Sequence, residues 1–555
     1  MKKFLILALA FCLVFSLAAC GGGDTEEPAG DESGAAEGFS ITVCFASEPQ
    51  TIDPALNSAV DGAIMLQHLF EGLIKWVDNG EGNATLAPGQ AETWDVSEDG
   101  MVYTFHLREG ITWSDGEPVT AQDFVYSWQR LVNPETAADY NYMIDMVAGA
   151  NEIMAGEADP STLGVAALDE STLEVTLTYA CPFFEEIVAF PATFPVRQDV
   201  IEANGDQWTF DPATYVSNGP YTMTEWEHNS YILMEKNPNH YDVDNLGPDS
   251  IRFALMDDAN AMLAGFNSGE LDFIQQVPVD EIPALTEQGV LVVDDYVGTY
   301  YVCFQNQLEP FNDARVREAF SLVIDRNYII DQITRTGEVA ATAFVPSGVY
   351  DAEGADGDDF RTVGGDYYST AAEDYEANCE RARELLAEAG YPNGEGFPLV
   401  EYLYNTDDRH RAIGEALQNM WQTELGVTVT MANQDWAVFL QVRKDGDYSI
   451  ARNGWIADYN DPISFLDMWM TGGGNNDAQY SNAEYDALIT EAKSTSVPED
   501  RMAAMHAAED IIIGQDHALA PIYYYKNYHL MNESLQGMYY TPLGYYFFGY
   551  SSMAE

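Results

Sequence analysis

The sequence predicts a mixed α/β or α+β protein built from several layers of strands and helices. The chain has 555 residues, of which 46% are hydrophobic and 12% aromatic. This composition is too apolar for a disordered chain, and about 150 residues per domain gives three or four domain-sized units. Strand patterns alternate with helix patterns, and no repeat of fixed period occurs. The alternation favours a layered architecture and excludes a solenoid.

The clearest strand patterns lie in the first third of the chain. Residues 102–107 and 173–177 alternate apolar and polar side chains, as half-buried strands do. Between them, Thr120 and Asp123 have the spacing of a capping box. This spacing predicts the start of an amphipathic helix.

Two further helices are predicted downstream. Asn312 or Asp313 can cap a helix whose apolar residues share one face. Another helix is expected over about 371–389, because Gly390 and Pro392 are residues that end helices.

The N-terminal residues predict export and a lipid anchor. Residues 4–17 form an almost unbroken apolar run after a basic start. The run is shorter than the roughly 20 residues of a membrane-spanning helix and fits a secretory signal. It ends in Leu17-Ala18-Ala19-Cys20, which resembles the bacterial lipobox and implies cleavage after residues 1–19 and lipidation of Cys20. An ordinary signal peptide with a chance cysteine is the alternative.

The composition after the lipobox and the overall charge limit the possible partners. Residues 20–38 are rich in glycine, alanine and acids and predict a flexible acidic tether. The formal net charge is −68, from 23 Lys+Arg and 91 Asp+Glu. So few cations argue against a nucleic-acid-binding surface and against docking on anionic lipid through a basic face. Membrane attachment would therefore depend on insertion of the lipid.

No catalytic or metal-binding motif is present. The sequence contains no G-x-S-x-G, H-E-x-x-H, P-loop or strand-following G-x-G-x-x-G pattern, and no metal or other cofactor is expected. Carboxylate pairs for glycoside hydrolysis carry no specificity among 91 acids. Four cysteines of the exported part could pair in three ways or remain buried thiols: Cys44, Cys181, Cys303 and Cys379.

Several long segments resemble one family. They are LREGITWSDGEPVTAQDFVYSWQRLVNPETA, PFNDARVREAF, LLAEAGYP and GWIADYNDPISF, in this order. Together they resemble the bacterial oligopeptide-binding lipoproteins of ABC importers, in cluster C of the solute-binding proteins (family 5). The similarity runs from about residue 40 to the C-terminus.

The resemblance implies a type II periplasmic-binding-protein-like fold with two lobes, a hinge and an extra domain. Lobe I would comprise residues 39–60, 185–297 and 526–555. The extra domain, residues 61–184, would pack on lobe I, and lobe II would comprise residues 298–525. Chain crossings near residues 297 and 525 fit a hinge, because few segments then need to move.

The same resemblance implies a site for the peptide amino group. Asp458 matches the family's amine-binding aspartate, and a charge-assisted hydrogen bond is the physical reason for a carboxylate there. The alternative is that Asp458 caps a turn before Pro462. Arg452 and Glu48 match a pair that bridges the lobes, which would favour closure if it forms only in the closed state. An ordinary surface ion pair is the alternative.

Further candidate residues match family positions along the peptide. Tyr140 and Gly454 match contacts to the peptide backbone, and Trp436 and Trp455 match pocket walls or core positions. One of the three tyrosines from Tyr523 to Tyr525 is expected to bind, and the others to pack. Tyr301, Tyr523 and Tyr524 are candidate peptide-binding residues.

Two cationic side chains match positions that receive the peptide carboxylate, namely His410 and Arg443. They are equally compatible with solvated helix charges. The sequence departs from some family members at Gly298 and Ile456, where those members have a disulfide, and at Cys303, where some have an acid. These departures concern which peptide side chains are preferred, and they leave the predicted recognition of the peptide amino group unchanged.

The resemblance therefore implies a peptide receptor without enzymatic activity. It would be a monomer held by its lipid on the outer face of the cytoplasmic membrane, either at the cell surface or in a periplasm. It would deliver oligopeptides to an ABC permease driven by separate ATPase subunits. A receptor for signalling peptides, cell-wall peptides or another solute is one alternative, and a secreted hydrolase is another.

Overall fold

The computed structural model describes residues 38–45, 48–78, 84–354 and 357–554. The signal segment, Cys20 and most of the tether lie outside the described residues. Residues 39–555 form one compact unit. No described helix combines the length and the apolar character needed to cross a membrane.

The strands are spread along the whole described chain. In chain order they are β1 (Ser40–Cys44), β2 (Ile74–Asp78), β3 (Ala84–Pro88), β4 (Ala91–Val96), β5 (Val102–Leu107), β6 (Val165–Asp169), β7 (Thr172–Thr176), β8 (Tyr221–Glu227), β9 (Tyr231–Lys236), β10 (Ser250–Ala254), β11 (Phe273–Ile274), β12 (Val292–Phe304), β13 (Val339–Ala340), β14 (Val400–Asn405), β15 (Val429–Gln434), β16 (Ile450–Ile456), β17 (Leu519–Met531), β18 (Leu535–Gln536), β19 (Tyr539–Tyr540), β20 (Tyr546–Phe547) and β21 (Ser552–Met553).

The helices lie between these strands. They are α1 (Val60–Leu69), α2 (Ala121–Val132), α3 (Ala150–Met154), α4 (Phe184–Val188), α5 (Gln198–Asn204), α6 (Ala259–Ser268), α7 (Ile282–Gln288), α8 (Ala314–Leu322), α9 (Arg326–Tyr328), α10 (Phe360–Gly364), α11 (Tyr375–Glu388), α12 (Asp408–Leu425), α13 (Trp436–Lys444), α14 (Ile463–Leu466), α15 (Ala483–Ser494) and α16 (Pro498–Glu509). Short π-helical turns continue α9 and α16.

The main sheet joins two lobes through two long strands. Its order is β15-β14-β16-β12-β17-β11-β1-β10-β9-β8, with β13 beside β17. One lobe contains β1 and β8 to β11, and the other contains β14 to β16. The antiparallel strands β12 and β17 have 13 residues each and run through both lobes. Their register is irregular between Asp295 and Thr299, close to the crossing predicted near residue 297.

A separate four-stranded sheet, in the order β4-β5-β7-β6, forms the extra domain. Strand β5 has the predicted bounds, and β7 lies one residue earlier than predicted. Helix α2 packs its apolar face inward and begins with the predicted capping box, in which the Thr120 N–H donates to Asp123 Oδ2 at 2.8 Å. The mixed α/β class, with two lobes and an added domain, is therefore confirmed.

The two other predicted helices are present with shifted ends. Asp313, and not Asn312, caps α8, because its Oδ1 accepts a hydrogen bond from the Arg315 N–H at 2.9 Å. Helix α11 begins at Tyr375, since residues 372–374 form a 3₁₀ turn ahead of it.

The four described cysteines are buried and free, which confirms the thiol interpretation. Burial raises the pKa of Cys44 to about 12 and that of Cys379 to about 11, so both thiols are protonated and unreactive near neutral pH. Gly298 and Ile456 are directly paired across β12 and β16. The position of the family disulfide is thus occupied by a cross-strand pair without sulfur.

Candidate functional site

A cavity of about 310 Å³ lies between the two lobes. Residues before and within the first turn of α1, together with Asp139 and Tyr140, line one side. The opposite side is lined by α13, by the end of β16 and by the loop that follows it. Strand β17 contributes Tyr523 and Tyr525 to the wall. The cavity is therefore built from segments that are far apart in the chain and meet at the lobe junction.

Nine of the candidate residues line this cavity. They are Tyr140, His410, Trp436, Arg443, Arg452, Gly454, Trp455, Asp458 and Tyr523. Their positions are compatible with ligand contact, which stays a prediction for each of them.

Three candidate residues lie outside the cavity lining, namely Glu48, Tyr301 and Tyr524, and their contact with a ligand stays a prediction. Tyr301 is fully buried, with its ring against Phe344 and Trp469. Tyr524 faces the opposite side of β17 from Tyr523, because successive strand residues alternate sides. Its hydroxyl lies 3.2 Å from the Ala343 N–H, which donates to it.

Glu48 is the third of these residues, and the predicted ion pair with Arg452 is absent. The Glu48 carboxylate instead lies 2.6 Å from His228 Nδ1 and accepts a hydrogen bond from the Asn229 N–H at 2.8 Å. Both partners lie in the turn between β8 and β9, so Glu48 is held within its own lobe. A bridge to Arg452 does not stabilise this arrangement.

Asp458 is buried at the cavity wall just after β16, with 7% of its surface exposed. Its carboxylate accepts hydrogen bonds from the Tyr140 hydroxyl at 3.0 Å and the Ser464 hydroxyl at 3.4 Å. Both donors are neutral, and no cation pairs with Asp458 within the described chain. Burial raises the pKa of Asp458 well above its ordinary value. The site is therefore one that a cationic group would stabilise.

The alternative role of Asp458 as a turn cap is filled by another residue. Asp461 Oδ1 accepts a hydrogen bond from the Ile463 N–H at 2.9 Å, at the start of α14. Asp461 also forms an ion pair with Arg501 at 2.6 Å. The turn before Pro462 is thus capped without the Asp458 carboxylate, which remains directed at the cavity.

Most other charges in the cavity are already compensated. The Arg443 guanidinium lies 2.6 Å from Asp477, and Lys444 pairs with Asp139. Lys526 pairs with Asp295, and Arg409 lies 3.4 Å from Glu338. Among the lining residues that the structure describes, Asp61 and Asp458 are the acids with neither a cation nor a capping role. The empty cavity thus holds two uncompensated carboxylates.

Arg452 is the cavity cation that has no carboxylate partner in the described part of the chain. Its Nε donates to Asn405 Oδ1 at 2.6 Å. The guanidinium lies 5.2 Å from the Trp436 ring centroid and 5.0 Å from that of Phe439. Contact with both rings holds the group in place while leaving its charge available to a ligand.

The two residues predicted to receive a peptide carboxylate differ in charge and in hydrogen-bond partners. Burial, with Arg452 and Arg409 nearby, lowers the pKa of His410 well below its ordinary value, so the ring is neutral near pH 7. Its Nδ1 lies 3.3 Å from the Tyr300 hydroxyl. Arg443 is engaged by Asp477 and by Asn453 Oδ1 at 2.7 Å. His410 therefore offers a neutral hydrogen-bonding group, and Arg443 offers a charge that is already shared.

An open strand edge borders the cavity. Strand β14 pairs with β16 only at Ile450 and Ala451. Residues 452–456 pair with β12 on one edge and have no strand partner on the other within the described structure. All five line the cavity. A Cβ atom at Gly454 would lie 2.2 Å from the Tyr525 hydroxyl, so a larger residue would have to displace the Tyr525 side chain.

Sequence reasoning missed several cavity residues, among them Asp61, Lys444 and Lys526. Tyr525 was one of three tyrosines between which the sequence did not decide, although it lies two positions from Tyr523 in a strand and therefore on the same face. Asp61 and the two lysines have no comparable local signal. Their arrival at the cavity depends on how distant segments pack.

The fold and the cavity together define a two-lobed solute-binding protein. The family model for bacterial extracellular solute-binding proteins, family 5 (middle region), matches residues 85–477. The chain belongs to this family.

Relatives and solved structures agree with this assignment. The dipeptide-binding protein DppE of Bacillus subtilis is 34% identical over 548 residues, which is 98% of each chain. The periplasmic oligopeptide-binding protein OppA of Salmonella typhimurium is 36% identical over 498 residues, 88% of each chain. The crystal structure of Haemophilus influenzae OppA in complex with RPPGFSPFR has a TM-score of 0.87 at 30% identity, covering 94% of this chain and 99% of that chain.

A further comparison concerns the arrangement of the lobes. The unliganded open form of the Escherichia coli murein tripeptide-binding protein MppA has a TM-score of only 0.59, at 31% identity, with 93% of this chain and 98% of that chain covered. Because coverage and identity are similar to those of the peptide complex, the lower score indicates a different lobe arrangement. The lobes described here are arranged as in the peptide complex.

Proposed function

We propose that this chain is a lipid-anchored extracytoplasmic receptor that captures oligopeptides between its lobes and delivers them to an ABC permease. The observation that carries the proposal is the buried Asp458 carboxylate, which faces the cavity without a cationic partner in the described chain. A free α-amino group is the positive charge that peptides share. Its ammonium would provide the missing partner through a charge-assisted hydrogen bond.

The open edge of β16 supports a peptide as cargo. An extended peptide presents N–H and C=O groups at a regular spacing, and it can pair with an exposed strand edge without regard to its side chains. Residues 452–456 offer such an edge a few positions before Asp458. We therefore place the peptide along β16, with its amino group at Asp458.

The same charge explains how binding would favour closure. Closing the cleft without cargo buries the Asp458 carboxylate beside neutral donors, which costs free energy. An ammonium group removes this cost in the closed state more than in the open state, so the peptide shifts the population toward closure. Strands β12 and β17 would form the hinge, with the lobes bounded near residues 297 and 525.

Replacing Asp458 tests the proposal. Asp458→Asn should weaken binding of a free-amine tetrapeptide by about 10- to 100-fold, because a hydrogen bond to a charged group contributes about 1.5–3 kcal/mol. Isothermal titration calorimetry measures the effect. The N-acetylated peptide, which has no ammonium group, should bind wild type and variant with similar low affinity.

The matched control is Asp447→Asn, which removes an exposed carboxylate in the same lobe. This control should bind the free-amine peptide like wild type. Equal losses for free and acetylated peptides in Asp458→Asn would refute the assignment of Asp458. A wild-type protein that binds no peptide would refute the proposed function as a whole.

The lipid anchor is proposed from the lipobox, since Cys20 lies outside the described residues. Cys20→Ser should abolish labelling by radioactive palmitate and leave the protein unprocessed or released into the medium. Membrane fractionation of cells that express each form provides the second readout. Persistent lipid labelling of the variant would contradict the anchor.

The proposed receptor is a monomer that requires no cofactor and performs no reaction. Its family consists of solute-binding proteins, and transport would be driven by the ATPase subunits of the importer. Peptides incubated with the protein should be recovered intact by mass spectrometry. Native mass spectrometry of the purified protein would identify retained cargo and distinguish nutrient peptides from signalling or cell-wall peptides.

A further inference from the structure

We propose that Asp61 forms a second cation-binding subsite of the cavity and selects peptides that carry a lysine or arginine side chain. This inference rests on the proposed function, because it assigns a side-chain preference to the same cavity. It concerns a residue for which the sequence predicted no role.

The position of Asp61 is the first observation. Asp61 lies in the first turn of α1 and lines the inter-lobe cavity. Its Oδ2 atom is buried and accepts no hydrogen bond within the described structure. A buried carboxylate oxygen without a donor is costly, so this oxygen is poised to accept one from a ligand.

The charges around the cavity are the second observation. Two other carboxylates of the cavity wall have cationic partners. Asp139 pairs with Lys444, and Asp477 pairs with Arg443. Asp61 forms no ion pair in the described chain, although Arg452 lines the same cavity. The Arg452 guanidinium is held by Asn405 and by the Trp436 and Phe439 rings instead. The peptide amino group would compensate the charge of Asp458. The Asp61 carboxylate would then remain uncompensated in the cavity.

The chemistry of the neighbouring wall is the third observation. Trp436, at the start of α13 in the opposite lobe, lines the cavity and favours the ionised form of Asp61. Burial acts in the other direction and raises the pKa of Asp61 to about 6. The group is therefore mainly ionised above pH 7. A cavity wall that holds an ionised carboxylate and an aromatic ring can bind ammonium and guanidinium groups.

A purely structural role for Asp61 makes a different prediction. Acids in the first turn of a helix stabilise it by interacting with the helix dipole. That effect would contribute to folding and would not depend on the side chains of the cargo. Ligand selectivity, measured separately from stability, therefore distinguishes the two roles.

The experiment compares lysine with norleucine, which has a similar aliphatic chain without the charge. Tri- and tetra-alanine are prepared with a single lysine or a single norleucine at each position in turn, and their affinities are measured by calorimetry near pH 7.5. We expect lysine to bind about tenfold or more tightly than norleucine in at least one position. Asp61→Asn should reduce this ratio to about one, and it should bind alanine peptides at least as tightly as wild type, because those peptides leave the Asp61 carboxylate unpaired.

Two further variants control for folding and for general charge effects. Asp61→Ser, which also tolerates the first turn of a helix, should lose the lysine preference in the same way. Asp257→Asn removes an exposed carboxylate outside the cavity lining and should retain the preference. Thermal unfolding of each variant verifies that it is folded.

Three results would overturn the proposal. Lysine and norleucine peptides could bind wild type equally at every position, or the lysine preference could persist in both Asp61 variants. The variants could also lose alanine-peptide binding together with the preference, which would indicate a structural role. In all three cases wild type still binds alanine peptides, so the proposed function stands. Failure of wild type to bind any of the peptides would overturn both.

Discussion

At the residue scale, the main feature is the set of neutral donors around Asp458. The hydroxyls of Tyr140 and Ser464 donate to its carboxylate, and Tyr140 comes from the extra domain. Hydroxyl donors orient the carboxylate and reduce the cost of burying it, but they leave its charge uncompensated. The residue is therefore preorganised for a cationic ligand and disfavoured as an ion when the closed cavity is empty.

This arrangement predicts a pH dependence of peptide binding. The ammonium ligand requires ionised Asp458, and burial raises the pKa of this carboxyl well above its ordinary value of about 4. Peptide affinity should therefore be full above the raised pKa and fall as the pH drops through it, because the peptide then has to displace a proton. Calorimetry from about pH 6.5 to about pH 4 measures the profile, over which the peptide amine stays protonated.

The control for this profile is Asp458→Asn, which cannot titrate at this position. Its weaker binding should change less over the same pH range. A wild-type affinity that is constant down to about pH 4 would contradict the raised pKa.

At the element scale, segment 139–145 forms one of the contacts between the extra domain and the second lobe. Lys493 of α15 lies 2.6 Å from Asp145 and 3.1 Å from Asp467. At the other end of the segment, Lys444 pairs with Asp139. These ion pairs join the two sides of the cleft, as the sequence predicted for Glu48 and Arg452. Because both lysines come from the second lobe, opening the cleft would separate them from the acids of the extra domain.

Removing the charge of Lys493 should therefore disfavour the closed state. In Lys493→Met, closure brings Asp145 toward the buried Asp467, whose pKa burial already raises to about 6. Leaving two acids without a cation should weaken peptide binding by about tenfold or more. Calorimetry measures the affinity.

The matched control is Lys236→Met, since Lys236 pairs with Asp249 on the surface of the first lobe, where such pairs contribute little. It should bind peptide like wild type. Unchanged affinity in Lys493→Met would contradict a role of this contact in closure.

At the scale of the whole molecule, closure is a movement of two lobes connected by β12 and β17. A hinge made of two paired strands allows rotation while both lobes keep their cores. The closed and empty cavity contains the unpaired carboxylates of Asp61 and Asp458. Their mutual burial without a cation should favour the open state in the absence of peptide.

Small-angle X-ray scattering tests this expectation. The radius of gyration of ligand-free protein should decrease when tetra-alanine is added, because the peptide stabilises the closed arrangement. Asp458→Asn at the same peptide concentration should show a smaller decrease. A ligand-free radius equal to that of the saturated protein would contradict closure driven by peptide.

Local patterns in the sequence were enough for several elements. The bounds of β5, the capping box of α2 and the Asp313 cap of α8 depend on hydrogen bonds and side-chain periodicity within a few residues. Such interactions are encoded next to each other in the chain, so spacing predicts them. The similarity to a family then identified nine residues of the cavity wall, including Asp458 and Tyr140.

The sequence by itself determined strands β5 and β7, helices α2, α8 and α11, the caps of α2 and α8, and the family to which the chain belongs. Only the tertiary structure decided that Glu48 pairs with His228, that Tyr524 faces away from the cavity and that Asp61 lies unpaired in its wall. The physical reason is the separation along the chain of the residues that interact. Caps and periodicity depend on neighbours in the chain, whereas the partner of a charged side chain depends on which distant segments the fold brings within a few ångströms.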